Sequence, residues 1–174
     1  MPQKLKIMKK LTLKNYFLIG DPEMKVKLLQ DFLFALPLAG RESRFRNRFL
    51  NLIMARIKEI DAERVKLVEE HAEKDENGKI IYLEQILDKY SKPTGKTKET
   101  KEKNKAYAYK LKDEQAFSKS YNEYLNEDLV IDVSPETEEA ILGIKDIILN
   151  TEEKFSGIAA KRYDEICEVF EKIK

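Results

Sequence analysis

Between Gly40 and Lys74 the apolar residues recur at steps of three and four. Phe45, Phe49, Leu52, Ile53, Ile57, Ile60, Leu67 and Val68 fall on one side of a 3.6-residue repeat. No proline and no internal glycine interrupts the stretch. Arg64 breaks the row, but its methylene stem can lie along apolar surface. The pattern predicts one helix about 50 Å long at 1.5 Å per residue. Nothing else in the chain is as long, so the remaining elements are expected to pack along it.

Elsewhere the period changes. Leu5, Ile7, Leu11 and Leu13 alternate with lysines and Thr12, which predicts a strand over 4–13 with one buried face. Asp21-Pro22-Glu23 has the chemistry of a helix start, and a helix from Pro22 to Leu36 would turn Leu28, Leu29, Phe32, Leu33 and Leu36 inward. Pro37 stops it, and the short link Leu38-Ala39-Gly40 makes the two helices antiparallel neighbours. Asp75-Glu76-Asn77-Gly78 reads as a helix stop rather than a hairpin turn, because a helix precedes it. A short strand over 79–83 and a helical turn or two over 84–90 follow. Residues 91–105 hold a single alanine-free, apolar-free run, SKPTGKTKETKEKNK, and are expected to form a mobile loop. Alternation over 106–111 and the β-branched run 129–133 predict strands. Helices are predicted over 113–126, with Phe117, Tyr121, Tyr124 and Leu125 inward, and over 136–149, with Ala140, Ile141, Ile144, Ile147 and Ile148 inward. Ser134-Pro135-Glu136 starts the second of these, and Ser156 caps a last helix with Ala159, Tyr163, Ile166, Phe170 and Ile173 inward.

Strand, two helices, strands and then helices is not a βαβ alternation. The order predicts an α+β fold: a long central helix, a helical bundle and a small, mainly antiparallel sheet. An all-helical bundle with extended connections is the alternative. The 174 residues suffice for a single domain, 1–174, with the lysine-rich loop at 91–105.

Composition narrows the function. Charged residues make up 37% and the net charge is only +1, so no global field draws the chain to nucleic acid or membrane. The charge is unevenly placed. The first 66 residues carry 15 Lys and Arg against 7 Asp and Glu; the other 108 carry 18 against 25. Either the two halves pair within the fold or across an interface, or the first offers a basic patch to an anionic partner. Cys167 is the only cysteine, which excludes an intrachain disulfide and suggests a reducing compartment. The amino-terminal stretch lacks the apolar run of a signal peptide, and no window approaches a membrane span.

Reactive constellations are missing. His71, the only histidine, could pair with Asp75 at i+4 but has nothing to complete a metal site, and no nucleophile motif accompanies it. Cys167 sits beside the acids Asp164, Glu165 and Glu168, the wrong surroundings for a thiolate, and is expected as a small buried residue. Gly95-Lys96-Thr97 resembles the end of a phosphate loop but has Tyr90 where the loop needs glycine. Glu136, Glu138, Glu139, Glu152, Glu153, Asp164, Glu165 and Glu168 have the spacing of solvated helix faces. No catalytic residue, metal or cofactor is therefore assigned.

Arg41, Arg44, Arg46 and Arg48 form the candidate binding site. They crowd the amino-terminal turns of the long helix, where the macrodipole disfavours cations by about 0.3–1 kcal/mol each. Arg41, Arg44 and Arg48 share a face; Arg46 points elsewhere. Their clustering makes sense if carboxylates or phosphates meet them: acids of the carboxy-terminal helices, a partner's acids, or nucleic acid.

Gly40-Arg41-Glu42-Ser43-Arg44, AEKDENGK over 72–79, Val130-Ile131-Asp132, Lys145 to Asn150 and Phe155-Ser156-Gly157 stand in an order that resembles a family of small proteins of unknown function from phages and prophages of Gram-positive bacteria. The likeness spans nearly the whole chain, although residues 91–105 are longer than the family's usual connection. It implies a gene near tail and lysis genes and carries over no catalytic or ligand residue. The expectation is a non-enzymatic accessory protein in the host cytoplasm or on the virion. It would bind a phage or host protein or itself, in assembly or in modulating a host factor. Nucleic-acid binding through the first-half basic residues and the 92–105 lysines is the alternative.

Overall fold

The computed structural model describes residues 9–19 and 28–173. The start expected at Asp21-Pro22-Glu23, the strand residues 4–8 and the helix residues 22–27 lie outside them. The fold is α+β, with one long helix and small antiparallel sheets. The expected single domain divides into two compact units, 1–60 with 125–174 and 61–124.

The first unit is built on the two-stranded antiparallel sheet of β1 (Lys10–Lys14) and β5 (Asp128–Asp132), with Leu11 opposite Ile131 and Leu13 opposite Leu129. The alternation is faithful: Leu11 and Leu13 are buried while Lys10, Thr12 and Lys14 face solvent. A short helix that the alternation did not foretell, α1 (Asn15–Ile19), follows β1 directly. Its Asn15 is fully buried. The Asn15 N–H donates to Glu127 O at 3.0 Å, and its amide oxygen accepts from Arg56 Nε and Nη2 at 3.2 and 3.1 Å.

Around this sheet stand α2 (Leu28–Ala35), the first part of α3 (Gly40–His71), α5 (Pro135–Leu149) and α6 (Gly157–Glu171). Phe49, Ile53, Ile57 and Ile60 of α3 are buried together with Ile141, Ile144, Ile148, Ile166 and Phe170. Full burial of one such side chain contributes about 1.5–3 kcal/mol. Leu52, expected in the stripe, is exposed, and Leu50 is buried in its place. Ala159 is exposed too, at the first turn of α6. Phe32, Phe155 and Tyr163 form an aromatic trio with centroids 4.8–5.9 Å apart. Ser134 begins α5 as expected, in a capping box with Thr137.

At Gly143, α5 meets the Phe45 side chain of α3. A Cβ there would stand 2.3 Å from Phe45 Cδ2 of α3. Only glycine lets the Phe45 ring lie against the α5 backbone.

The second unit departs from the expectations. Helix α3 ends at His71, and the chain turns extended: Ala72 bridges Leu111 and Lys74 bridges Ile80. Asp75–Gly78 is therefore a hairpin turn, not a helix stop. The Asp75 carboxylate accepts the N–H groups of Asn77 and Lys79, both at 2.9 Å, and Gly78 takes φ +77°. The predicted helical turns at 84–90 are absent because β2 (Tyr82–Leu87) runs on as a strand. The predicted mobile loop holds β3 (Pro93–Thr100), antiparallel to β2, and a 3-10 turn at Lys103–Lys105. A strand without apolar residues can still form, because main-chain hydrogen bonds to a neighbour need no side chain to bury. β4 (Ala108–Tyr109) completes the order β3-β2-β4, pairing with β2 only at Tyr82 and Leu83. The small core comprises Val68, Ala72, Tyr82 and Tyr121, and α4 (Glu114–Leu125) stacks Phe117 on Tyr121 at 5.8 Å.

Two predictions follow from this packing. Gly143→Ala is expected to lose about 1–2 kcal/mol of stability, because overpacking against Phe45 outweighs the alanine's better helix propensity. Denaturant melts of a double-mutant cycle check it: the loss should vanish in a Phe45→Ala background, and an equal loss in both backgrounds would reject the contact. Asp75 is held at about 2, first by Lys101 and then by the Lys79 and Asn77 N–H groups, below an unfolded value of about 3.9. The turn is thus fully stabilised above the unfolded value and loses that support as pH falls through about 2. Amide shifts of Asn77 and Lys79 should follow this titration, and Asp75→Asn should abolish it.

Candidate functional site

The crossing of α3 and α5 fixes the surroundings of the arginines. Arg41 lies one turn before Phe45 and Arg48 one turn after it; Glu139 lies one turn before Gly143. With Phe45 seated on Gly143, both arginines reach the same carboxylate. Arg41 Nη2 donates to Glu139 Oε1 at 2.7 Å, and Arg48 Nη1 stands 3.5 Å from Oε2. The Arg41 guanidinium also lies 5.2 Å from the Phe45 ring centroid.

Arg44 lines the same shallow pocket with Gly40, Phe45 and Glu139, and makes no ion pair among the described residues. Three guanidiniums thus line a pocket that holds one carboxylate, and two of them pair with it. The Arg41 and Arg48 side chains remain 76% and 53% exposed, so solvent screens the pairing and the face keeps an excess positive charge. Arg41, ahead of the other arginines, pulls the Glu139 carboxyl below the usual glutamate range.

Arg46 belongs elsewhere, as its place on the helix implies. Its Nη1 reaches the Leu33 and Leu36 carbonyls at 3.5 Å, and the guanidinium lies over Phe34 at 5.4 Å. These carbonyls end α2, where a cation satisfies unpaired acceptors and the negative helix pole. Arg46 holds the fold together and is not part of the exposed face.

Phe45 also lines a neighbouring groove of about 590 Å³, which carries Glu42, Asp146, Glu152 and Glu153. No group of three or more His, Cys, Asp and Glu suited to a metal occurs among the described residues. His71 is half-buried, its ring T-shaped to that of Phe117 with centroids 6.0 Å apart. Cys167 is partly exposed rather than buried; burial pushes its thiol up, and the nearby acids add to this. Tyr163 is pushed up to about 12, chiefly by burial, and donates to Ile148 O at 2.8 Å. None of these groups forms a nucleophile–base pair. Among the described residues no helix is long and apolar enough to cross a membrane.

Glu139 is one of the carboxy-terminal acids expected to meet the arginines, as Arg41 and Arg48 do here, but the sequence did not single it out from the other solvated acids. The available signal was Gly143, a glycine inside a helix four residues on, which marks a close approach. Comparison of the chain with protein-family models, with curated proteins and with solved structures found no match in any of the three.

If Arg41 dominates the charge environment of Glu139, Arg41→Gln should move the Glu139 titration up toward an ordinary glutamate, while Arg44→Gln should move it little. Carboxyl-carbon NMR across the acid range reads this directly. Equal shifts from both variants would show a diffuse field in place of the pair.

Proposed function

We propose that this chain acts by binding a protein, as a non-enzymatic accessory component of a phage or prophage, in virion or tail assembly or in modulating a host factor. The observation that carries the reading is the charge imbalance on the first turns of α3: Arg41, Arg44 and Arg48 face a single exposed acid, Glu139. Guanidinium groups held apart by a rigid helix suit carboxylates, which they grip with two parallel hydrogen bonds. Arg44 has no such partner among the described residues, so an incoming acid displaces no internal pair. The phage setting rests on the sequence resemblance described above.

The partner's surface is accordingly acidic. A second copy of the chain qualifies, since the groove carrying Glu42, Asp146, Glu152 and Glu153 has the complementary sign. Two measurements decide the matter. Light scattering over a concentration series reports self-association. Capture from lysate of infected Gram-positive cells, with parent chain against the Arg41→Gln/Arg44→Gln/Arg48→Gln variant, reports a separate partner. An acidic protein retained by the parent and lost by the variant, or a dimer lost in the same way, is the expected result. A monomer that retains nothing through these arginines would reject the reading.

A further inference from the structure

The second unit carries a different cationic feature. β4 pairs with β2 only at Tyr82 and Leu83, so beyond them Glu84–Leu87 and Pro93–Lys98 form a bare two-stranded ribbon. Its side chains bury little: Ile86, Leu87 and every residue from Pro93 to Glu99 are exposed. An isolated ribbon is marginal in water. This one is held at its end by Asp88, whose carboxylate accepts the N–H groups of Tyr90 and Lys92 at 2.8 and 2.9 Å.

The lysines of the ribbon and its base differ in their pairing. Near its base four are paired, Lys98 with Glu84, Lys101 with Asp75, Lys105 with Glu102, and Lys110 with Glu73 and Glu99, while Lys103 has no ion pair among the described residues. Lys89, Lys92 and Lys96 at the far end have no ion pair among the described residues. Asp88, the one acid there, is engaged with the backbone. Between these lysines stands Tyr90, 69% exposed, with Lys89 Nζ 5.0 Å from its ring centroid. The register shifts between Gln85 and Leu87, opposite the stretch where Gly95 takes φ +79°.

We propose that this ribbon is an arm for single-stranded nucleic acid, with Lys89, Lys92 and Lys96 on backbone phosphates and Tyr90 stacked on a base. Lysine is a point charge that accepts phosphate from many angles, which suits a flexible strand better than the bidentate geometry of carboxylate recognition. An exposed ring amid unpaired cations gives a base its stacking platform without reading its identity. A chain of carboxylates alone offers the lysines charge but gives that ring nothing to stack on. The arm is independent of the arginine face of the first unit, and its success or failure leaves that reading untouched.

The test is fluorescence anisotropy of a short labelled oligothymidine with the full chain. Three phosphate contacts give a salt slope of about −2, so affinity should fall roughly 20-fold between about 50 and 200 mM salt. Lys89→Gln/Lys92→Gln/Lys96→Gln should abolish binding while leaving the thermal melt unchanged, since all three side chains are exposed. Tyr90→Ala should weaken the single strand about tenfold and leave duplex binding as it was. Arg41→Gln/Arg44→Gln/Arg48→Gln should bind oligothymidine like the parent. Absent or salt-independent binding overturns the proposal, as does binding that survives the triple lysine change or is lost with the arginines. Equal affinity for polyglutamate through the same lysines overturns it in favour of an acidic protein.

Discussion

The contact between the Phe45 ring and the bare α5 backbone at Gly143 governs the first unit. Helices normally stand apart by the bulk of their side chains, 8–10 Å between axes. A glycine at the crossing removes that bulk on one side, and a ring fills the space from the other. Everything one turn away inherits its position from this fit. Glu139 comes within reach of Arg41 and Arg48, and the same ring lines the acidic groove. The charge pattern of that surface is thus a by-product of packing. It is not built by strong ion pairs, which are too exposed to hold anything.

The two units illustrate different ways of stabilising a chain. The first buries a continuous set of isoleucines, leucines and phenylalanines, with Asn15 and Arg56 as a polar pin inside it. The second has few buried side chains and relies on main-chain pairing, tight turns and ion pairs around Lys110 and Asp75. Burial of that sort enforces side-chain identity; main-chain pairing leaves it open. Positively charged β3, with Pro93 and lysines along an unpaired edge, also resists pairing with strands of other molecules.

This difference explains what could be read in advance. Helices α3, α5 and α6 and strand β1 bury one face, so their periods were visible in the residues: Ile141, Ile144 and Ile148, or Leu11 and Leu13; β5, only half-buried, was legible from its β-branched run. β3 buries nothing and has no period to see, which is why residues 91–105 looked like a loop. YLEQIL over 82–87 is short enough to suit a helix or a strand, and pairing with β3 and β4 decides it. Of the site, the shared face of Arg41, Arg44 and Arg48 and the divergence of Arg46 were legible from helix geometry alone. The part played by Glu139 was not, because it depends on which helix lies across α3.

The turns at Asp75 and Asp88 are the same device used twice. In each, aspartate accepts the N–H groups two and four residues on, its own N–H donates to the carbonyl four residues on, and the fourth residue takes positive φ: Gly78 at +77°, Ser91 at +60°. The two central residues are Glu76-Asn77 in one and Lys89-Tyr90 in the other, opposite in charge and unlike in shape. The loop geometry is therefore indifferent to what those two positions display. Such a mount lets the chemistry at its apex diverge between related chains while the scaffold beneath stays constant.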